Sequence, residues 1–146
     1  MKKLFIIIVA ILCGISANAQ LNITKCQKPA EQVKTISAYW IWIYQDTDNY
    51  YLVARSGNQY DENDYWLKIG STKQECIDSI NALLDITSDD ATYTIEDAFG
   101  GSLRAYKVSS IGEKILCLED RGHRYAGSAL ISSIYLKKAR RWFEES

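Results

Sequence analysis

Residues 36 to 56 read ISAYWIWIYQDTDNYYLVARS, and this stretch decides the architecture. Two runs rich in aromatic and β-branched residues flank the polar segment Gln45-Asp46-Thr47-Asp48-Asn49. That is the pattern of a β-hairpin. With the turn at Thr47-Asp48, Tyr44 faces Tyr51, Trp42 faces Val53 and Trp40 faces Arg55. A turn at Asp48-Asn49 instead sets Arg55 opposite Trp42. Side chains alternate across a strand, so Ser37, Tyr39, Ile41 and Ile43 share one face. Ile36, Ala38, Trp40, Trp42 and Tyr44 share the other. The aliphatic face suits helix packing, and the tryptophans then look away from the helices.

Downstream, Tyr65 to Ile69 alternates as a third strand, with Trp66 and Lys68 on one face. Thr72 and Glu75 form a capping box that starts a helix running to about Ile86. Cys76, Ile77, Ile80, Leu83 and Leu84 recur on it at helical spacing. Packing of Ile77, Ile80 and Leu84 onto Ile41 and Ile43 is expected. Strands follow at 92–96, 103–108 and 114–119, with a turn at Ile111-Gly112 between the last two. A final helix is expected from Ser128 to Phe143, with Leu130, Ile131, Ile134 and Tyr135 as its apolar stripe. The order β-β-β-α-β-β-β-α predicts an α+β fold, an antiparallel sheet with two helices mainly on one face. The two halves share pattern and not residues, and no linker divides them, so 35–146 reads as a single α+β domain.

Residues 1–19 read as a signal peptide. Lys2 and Lys3 form its charged start, Leu4 to Ile15 its apolar middle, and Ala17-Asn18-Ala19 its cleavage site. The expected location is periplasmic or secreted. The apolar run falls short of the about 20 residues that a membrane span needs. No second long apolar stretch follows, so no membrane span is expected after signal removal. The remaining chain carries 15 basic and 18 acidic side chains, a poor balance for nucleic acid. Residues 20–34 are polar, hold the single proline, Pro29, and read as an N-terminal arm. Three cysteines remain after leader removal, and export permits one disulfide. Cys26 with Cys76 is the favoured pair, Cys117 being a buried small hydrophobe; three reduced thiols are the alternative.

Chemistry-bearing motifs are sparse. Asp46 and Asp48 resemble the opening of a calcium loop, but its remaining ligands, glycine and closing glutamate are missing. Turn chemistry accounts for these residues, and no metal is expected. His123 is the single histidine. Cys117 lies in an apolar strand, where a thiol is inert, and zinc needs more nitrogen or sulfur ligands. No cofactor and no enzymatic activity are expected. Two binding surfaces stand out. One is an aromatic sheet face of Trp40, Trp42 and Trp66, with Arg55 and Lys68 at its rim. The other is a loop rim in which Arg121, His123 and Arg124 precede a helix and could hold an anion. If each element reverses direction, Asp46, Asp48 and Phe99 lie beside it. The plain reading of that rim is a solvated loop, and of the tryptophans an ordinary covered core. Three functions remain open. The first is a protein-interaction module (inhibitor, immunity-type protein or assembly subunit), meeting another protein or a second copy. The second is a binder of a saccharide or small ligand, and the third a carboxylate-based hydrolase.

Overall fold

A computed structural model describes residues 30–57, 64–120 and 127–146. The first unit comprises β1 (Glu31–Ser37), β2 (Ile41–Gln45), β3 (Tyr50–Arg55), β4 (Asp64–Gly70) and α1 (Lys73–Ile86). The second repeats that order: β5 (Tyr93–Glu96), β6 (Ser102–Ser110), β7 (Glu113–Asp120), β8 (Ser128–Ser132) and α2 (Ser133–Glu145). Each unit forms a four-stranded antiparallel meander in sequence order. The α+β class with antiparallel pairing and two helices is as expected, with one more strand in each half.

The additional strand of the first half arises from parity. Ile36 and Ile41 differ by an odd number, so one continuous strand would put them on opposite faces. The chain instead turns at 38–40, where the Trp40 N–H bonds the Ser37 carbonyl at 3.2 Å. Ile36, Ile41 and Ile43 then all reach the core. Residues 31–34, expected in the arm, belong to β1, a polar edge strand of the kind that resists edge pairing. Residues 20–29 and 1–19 lie outside the described residues. The hairpin register has Tyr44 opposite Tyr51 and Trp42 opposite Val53, with the Arg55 N–H bonded to the Trp40 carbonyl.

In the second half, the helix expected from Ser128 begins at Ser133. Residues 128–132 alternate as β8, with Ala129 and Ile131 buried and Leu130 exposed. Ser132 caps α2, its Oγ accepting from the Ile134 N–H at 3.3 Å. The later start rotates the helix. Leu136, Ala139 and Phe143 face the core, and Ile134 and Tyr135 do not.

The α1 start is as expected. The Thr72 hydroxyl accepts from the Glu75 N–H at 3.2 Å, and Glu75 Oε1 accepts from the Ser71 N–H at 2.8 Å. Gly70, at φ 151°, makes room, since a Cβ there would lie 2.6 Å from the Glu75 Cβ. Cys76, Ile80, Leu83 and Ile86 are buried; Ile77 and Leu84 pack partly against them. The core face is thus turned from the expected Ile77–Leu84 edge toward Leu83.

One hydrophobic cluster takes in residues of both sheets and both helices. The helices touch each other through Arg140 Nη1, which donates to Asn81 Oδ1 at 2.8 Å. Lys138 ties α2 to the first sheet, donating to the Ile36 carbonyl at 2.8 Å. The sheets meet along a seam. The Gly57 N–H bonds the Ser128 carbonyl at 2.7 Å, and the Ala98 N–H bonds the Trp66 carbonyl at 2.8 Å. At Gly57 a Cβ would come within 3.2 Å of the Ser128 oxygen.

Two expectations follow for stability. Leu136→Ala should lower it by about 2–5 kcal/mol, the usual range for a buried leucine, while Ile134→Ala should stay within about 0.5 kcal/mol. Denaturant melts check the pair, and equal losses would contradict the helix phase. At the β6–β7 hairpin, Ile111 is fully exposed at φ 42° and Gly112 follows at φ 79°. A β-branched residue is strained there, and asparagine suits the position. Ile111→Asn should therefore raise stability by about 1 kcal/mol in the same melts.

Candidate functional site

The helices cover the inner faces, so the outer faces hold the candidate surfaces. On the first sheet, Trp42, Val53 and Trp66 align across β2, β3 and β4. Val53 is buried between the two half-buried indoles. Tyr44 and Tyr51 pack edge-on to Trp66, with ring centroids 4.9 and 5.8 Å apart. The Arg55 guanidinium sits 5.1 Å over the Trp42 ring, 3.9 Å from the Asp64 carboxylate. Such a stack contributes about 0.5–1 kcal/mol at an exposed site.

The second sheet repeats the arrangement with different residues. Tyr106, Cys117 and Leu130 align across β6, β7 and β8, with Cys117 buried where Val53 lies in the first unit. The Tyr106 hydroxyl donates to Glu119 Oε2 at 2.5 Å, and Arg104 pairs with the same carboxylate. The Tyr106 hydroxyl is held well above its ordinary pKa by its contact with Cys117 and by Glu119.

At the seam lies a groove of about 380 Å³, lined by Trp40, Arg55, Ile115, Leu130 and Tyr135 among others. Trp40 is 50% exposed and Leu130 53%. Exposed Tyr39 and Ile134 adjoin lining residues in sequence. The β1–β2 turn, the end of β3, β7, β8 and the first turn of α2 converge here.

A second pocket, of about 330 Å³, lies at the other end of the aromatic face. Ala30, Asp46, Tyr51, Trp66, Ala98 and Phe99 line it. Asp46 organises the β2–β3 turn. Its Oδ1 accepts from the N–H groups of Asp48 and Asn49 at 2.8 and 2.7 Å, and its Oδ2 accepts from the Tyr51 hydroxyl at 2.7 Å. Burial raises the Asp46 pKa, but the Tyr51 hydroxyl and the two N–H groups outweigh it, with help from Lys68. The net shift is downward. Asp97 holds the Phe99 loop, accepting from the Phe99 and Gly101 N–H groups at 2.8 and 2.7 Å.

The structure distributes the expected site residues as follows. Trp42, Arg55, Trp66 and Lys68 belong to β2, β3 and β4, and Arg55 stacks on Trp42. Trp40 leaves that face, because the 38–40 turn swings it into the seam groove. Asp46 and Phe99 meet in the second pocket, while exposed Asp48 contributes an N–H to the turn. Arg121, His123 and Arg124 lie outside the described residues, as does Cys26 of the favoured disulfide. Cys76 is fully buried, and burial with the Glu75 charge pushes its thiol up to about 11, so it is a poor nucleophile. Sequence reasoning missed Tyr39, Leu130, Ile134 and Tyr135. The alternation of Ser-Ala-Leu-Ile-Ser at 128–132 was the available signal.

Among the described residues, no group of three or more His, Cys, Asp or Glu side chains could hold a metal ion. No described helix is long and apolar enough to cross a membrane. Comparison with protein-family models, curated proteins and solved structures finds no match to this chain.

The Asp46 turn supplies a pH test. A carboxylate with a depressed folded-state pKa stabilises above its ordinary value of 3.8, and that contribution is lost as the pH falls through the folded value. Tyrosine and tryptophan emission should hold steady from neutrality downward and shift only below about 3.8. A transition centred well above that would contradict the assignment.

Proposed function

We propose that this chain is an exported, non-catalytic protein-interaction module that meets its partner at the seam groove. One observation carries the reading: apolar side chains from three segments, Trp40, Leu130 and Tyr135, converge on one groove and remain substantially exposed. Exposed apolar patches with a polar rim mark partner surfaces, and an aromatic anchor beside aliphatic neighbours is the usual centre of such an interface. Arg55 supplies the polar edge. The charged, apolar and small-residue order of residues 1–19 supports export. A saccharide is less well served. Sugar stacking needs a flat open ring, and Trp66 is edge-packed by two tyrosines while Trp42 lies under Arg55.

Affinity capture from the exported fraction tests the reading, comparing the native chain with a Trp40→Ser, Leu130→Ser double variant. The native chain should retain a defined protein that the variant loses, with both melting alike because both side chains are surface groups. Identical captures by the two forms would refute the assignment. If sedimentation shows the native chain pairing with itself and the variant monomeric, the partner is a second copy.

A further inference from the structure

The edge of β8 directs backbone bonding groups toward the seam groove. The β6–β7 turn holds two residues, Ile111 and Gly112, between the paired residues Ser110 and Glu113. In such a hairpin the flanking pair exchanges both backbone bonds, and bonded and non-bonded pairs then alternate. Along this unshifted ladder Cys117 bonds toward β6, while Leu116 and Leu118 bond toward β8, where they meet Ile131 and Ala129. Leu130, opposite Cys117, therefore points its N–H and C=O away from β7. Ser128 has the same parity and agrees: its carbonyl faces outward and accepts from the Gly57 N–H at 2.7 Å. Among the described residues nothing bonds the Leu130 backbone at this edge.

The other sheet edges are guarded. β1 carries Lys34 and two register breaks, at 32–34 and 35–37. On β4, the equivalent strand of the first unit, the Ala98 N–H takes the Trp66 carbonyl, and Lys68 is exposed. β5 has four residues and ends in Glu96. β8 reads Ser-Ala-Leu-Ile-Ser, without charge, proline or register break. An edge of that kind is a template for a further strand.

We propose that the seam groove receives an extended, uncharged segment of the partner protein as an added strand on β8, anchored by the Leu130 N–H and C=O. This rests on the seam groove being the partner site and specifies how the partner lies in it. In strand addition, main-chain bonds supply affinity and pockets for alternate side chains supply specificity. Leu130 stands in the middle of β8 and is half exposed, and Trp40, Ile115 and Tyr135 wall the same groove with apolar surface for a side chain of the segment. Charge points the same way. Arg55, the charged side chain among the described lining residues, already faces Asp64 at 3.9 Å and stacks on Trp42. A carboxylate on the segment would compete with Asp64 for that guanidinium, whereas an uncharged segment leaves the pair in place.

The test pans the native chain against a phage library of random heptapeptides and synthesises the most enriched sequence. Calorimetry measures its binding, and NMR follows amide exchange of the chain with and without it. In the free chain the Leu130 amide should exchange faster than those of Ala129 and Ile131, and saturating peptide should slow it about tenfold or more. Backbone N-methylation, scanned along the peptide, removes one donor at a time and keeps the side chains. It should weaken binding at alternate residues, about tenfold at each bonded position. A tenfold rise in salt should change the affinity by about twofold at most, because no new ion pair forms. No enriched peptide, unchanged exchange at Leu130, N-methyl losses without a period of two, or a steep loss of affinity in salt would overturn the added strand. The Trp40→Ser variant separates that failure from failure of the groove reading. A peptide that binds the variant more weakly, yet leaves Leu130 exchange unchanged, overturns the strand and keeps the groove; one that binds both forms equally overturns both.

Discussion

Both sheets bury their inner faces in the same hydrophobic cluster, under helices that touch each other. Most other features follow from that sharing. Leu52, Ala54 and Leu67 of the first sheet meet the same cluster as Leu103, Leu116 and Leu118 of the second. The seam bonds at Gly57 and Ala98 join the backbones where the sheets approach. With both described helices engaged inside, no other helix among the described residues covers the outside. The outer aromatics therefore pack on one another, Trp66 between Tyr44 and Tyr51, or remain bare, as Trp40 and Leu130 do.

The two units share a topology and diverge in what they place on it. The centre of each outer face is small and buried, Val53 in one and Cys117 in the other. Around Val53 lie indoles and phenols; around Cys117 lies the Arg104–Glu119–Tyr106 network with Leu130 on its far side. The unequal surroundings place an apolar groove at one end of the first sheet and an aromatic corner with a carboxylate at the other. The proposed binding rests on those surroundings and not on the topology.

Much of the architecture was legible in the sequence, because strand alternation and helix capping are local signals. The hairpin register of residues 41–55 and the Thr72–Glu75 helix start depend on neighbouring residues alone. The misread portions depend on tertiary context. Ile36 joins the core only because the chain reverses at 38–40, and polar β1 has little apolar pattern to announce it. The stretch from Ser128 satisfies a helical stripe and a strand alternation together, and pairing with β7 decides for the strand. That single ambiguity also concealed the candidate site. Read as helix, Leu130, Ile134 and Tyr135 were core; set outside it by the strand, Leu130 and Tyr135 line the groove with Trp40, and Ile134 is exposed next to Tyr135.

The central claim is that the helices cover one side and leave the seam groove open in the free chain. Site-resolved oxidative labelling of the unliganded protein, read by mass spectrometry, measures this directly. The account predicts that Trp40, Tyr39 and Tyr135 label fastest among the described aromatic residues of β1–β3 and α2, ahead of half-buried Trp42 and Trp142 and well ahead of buried Phe143. Slow labelling of Trp40, equal to that of Phe143, would show that the groove is closed and would contradict the account.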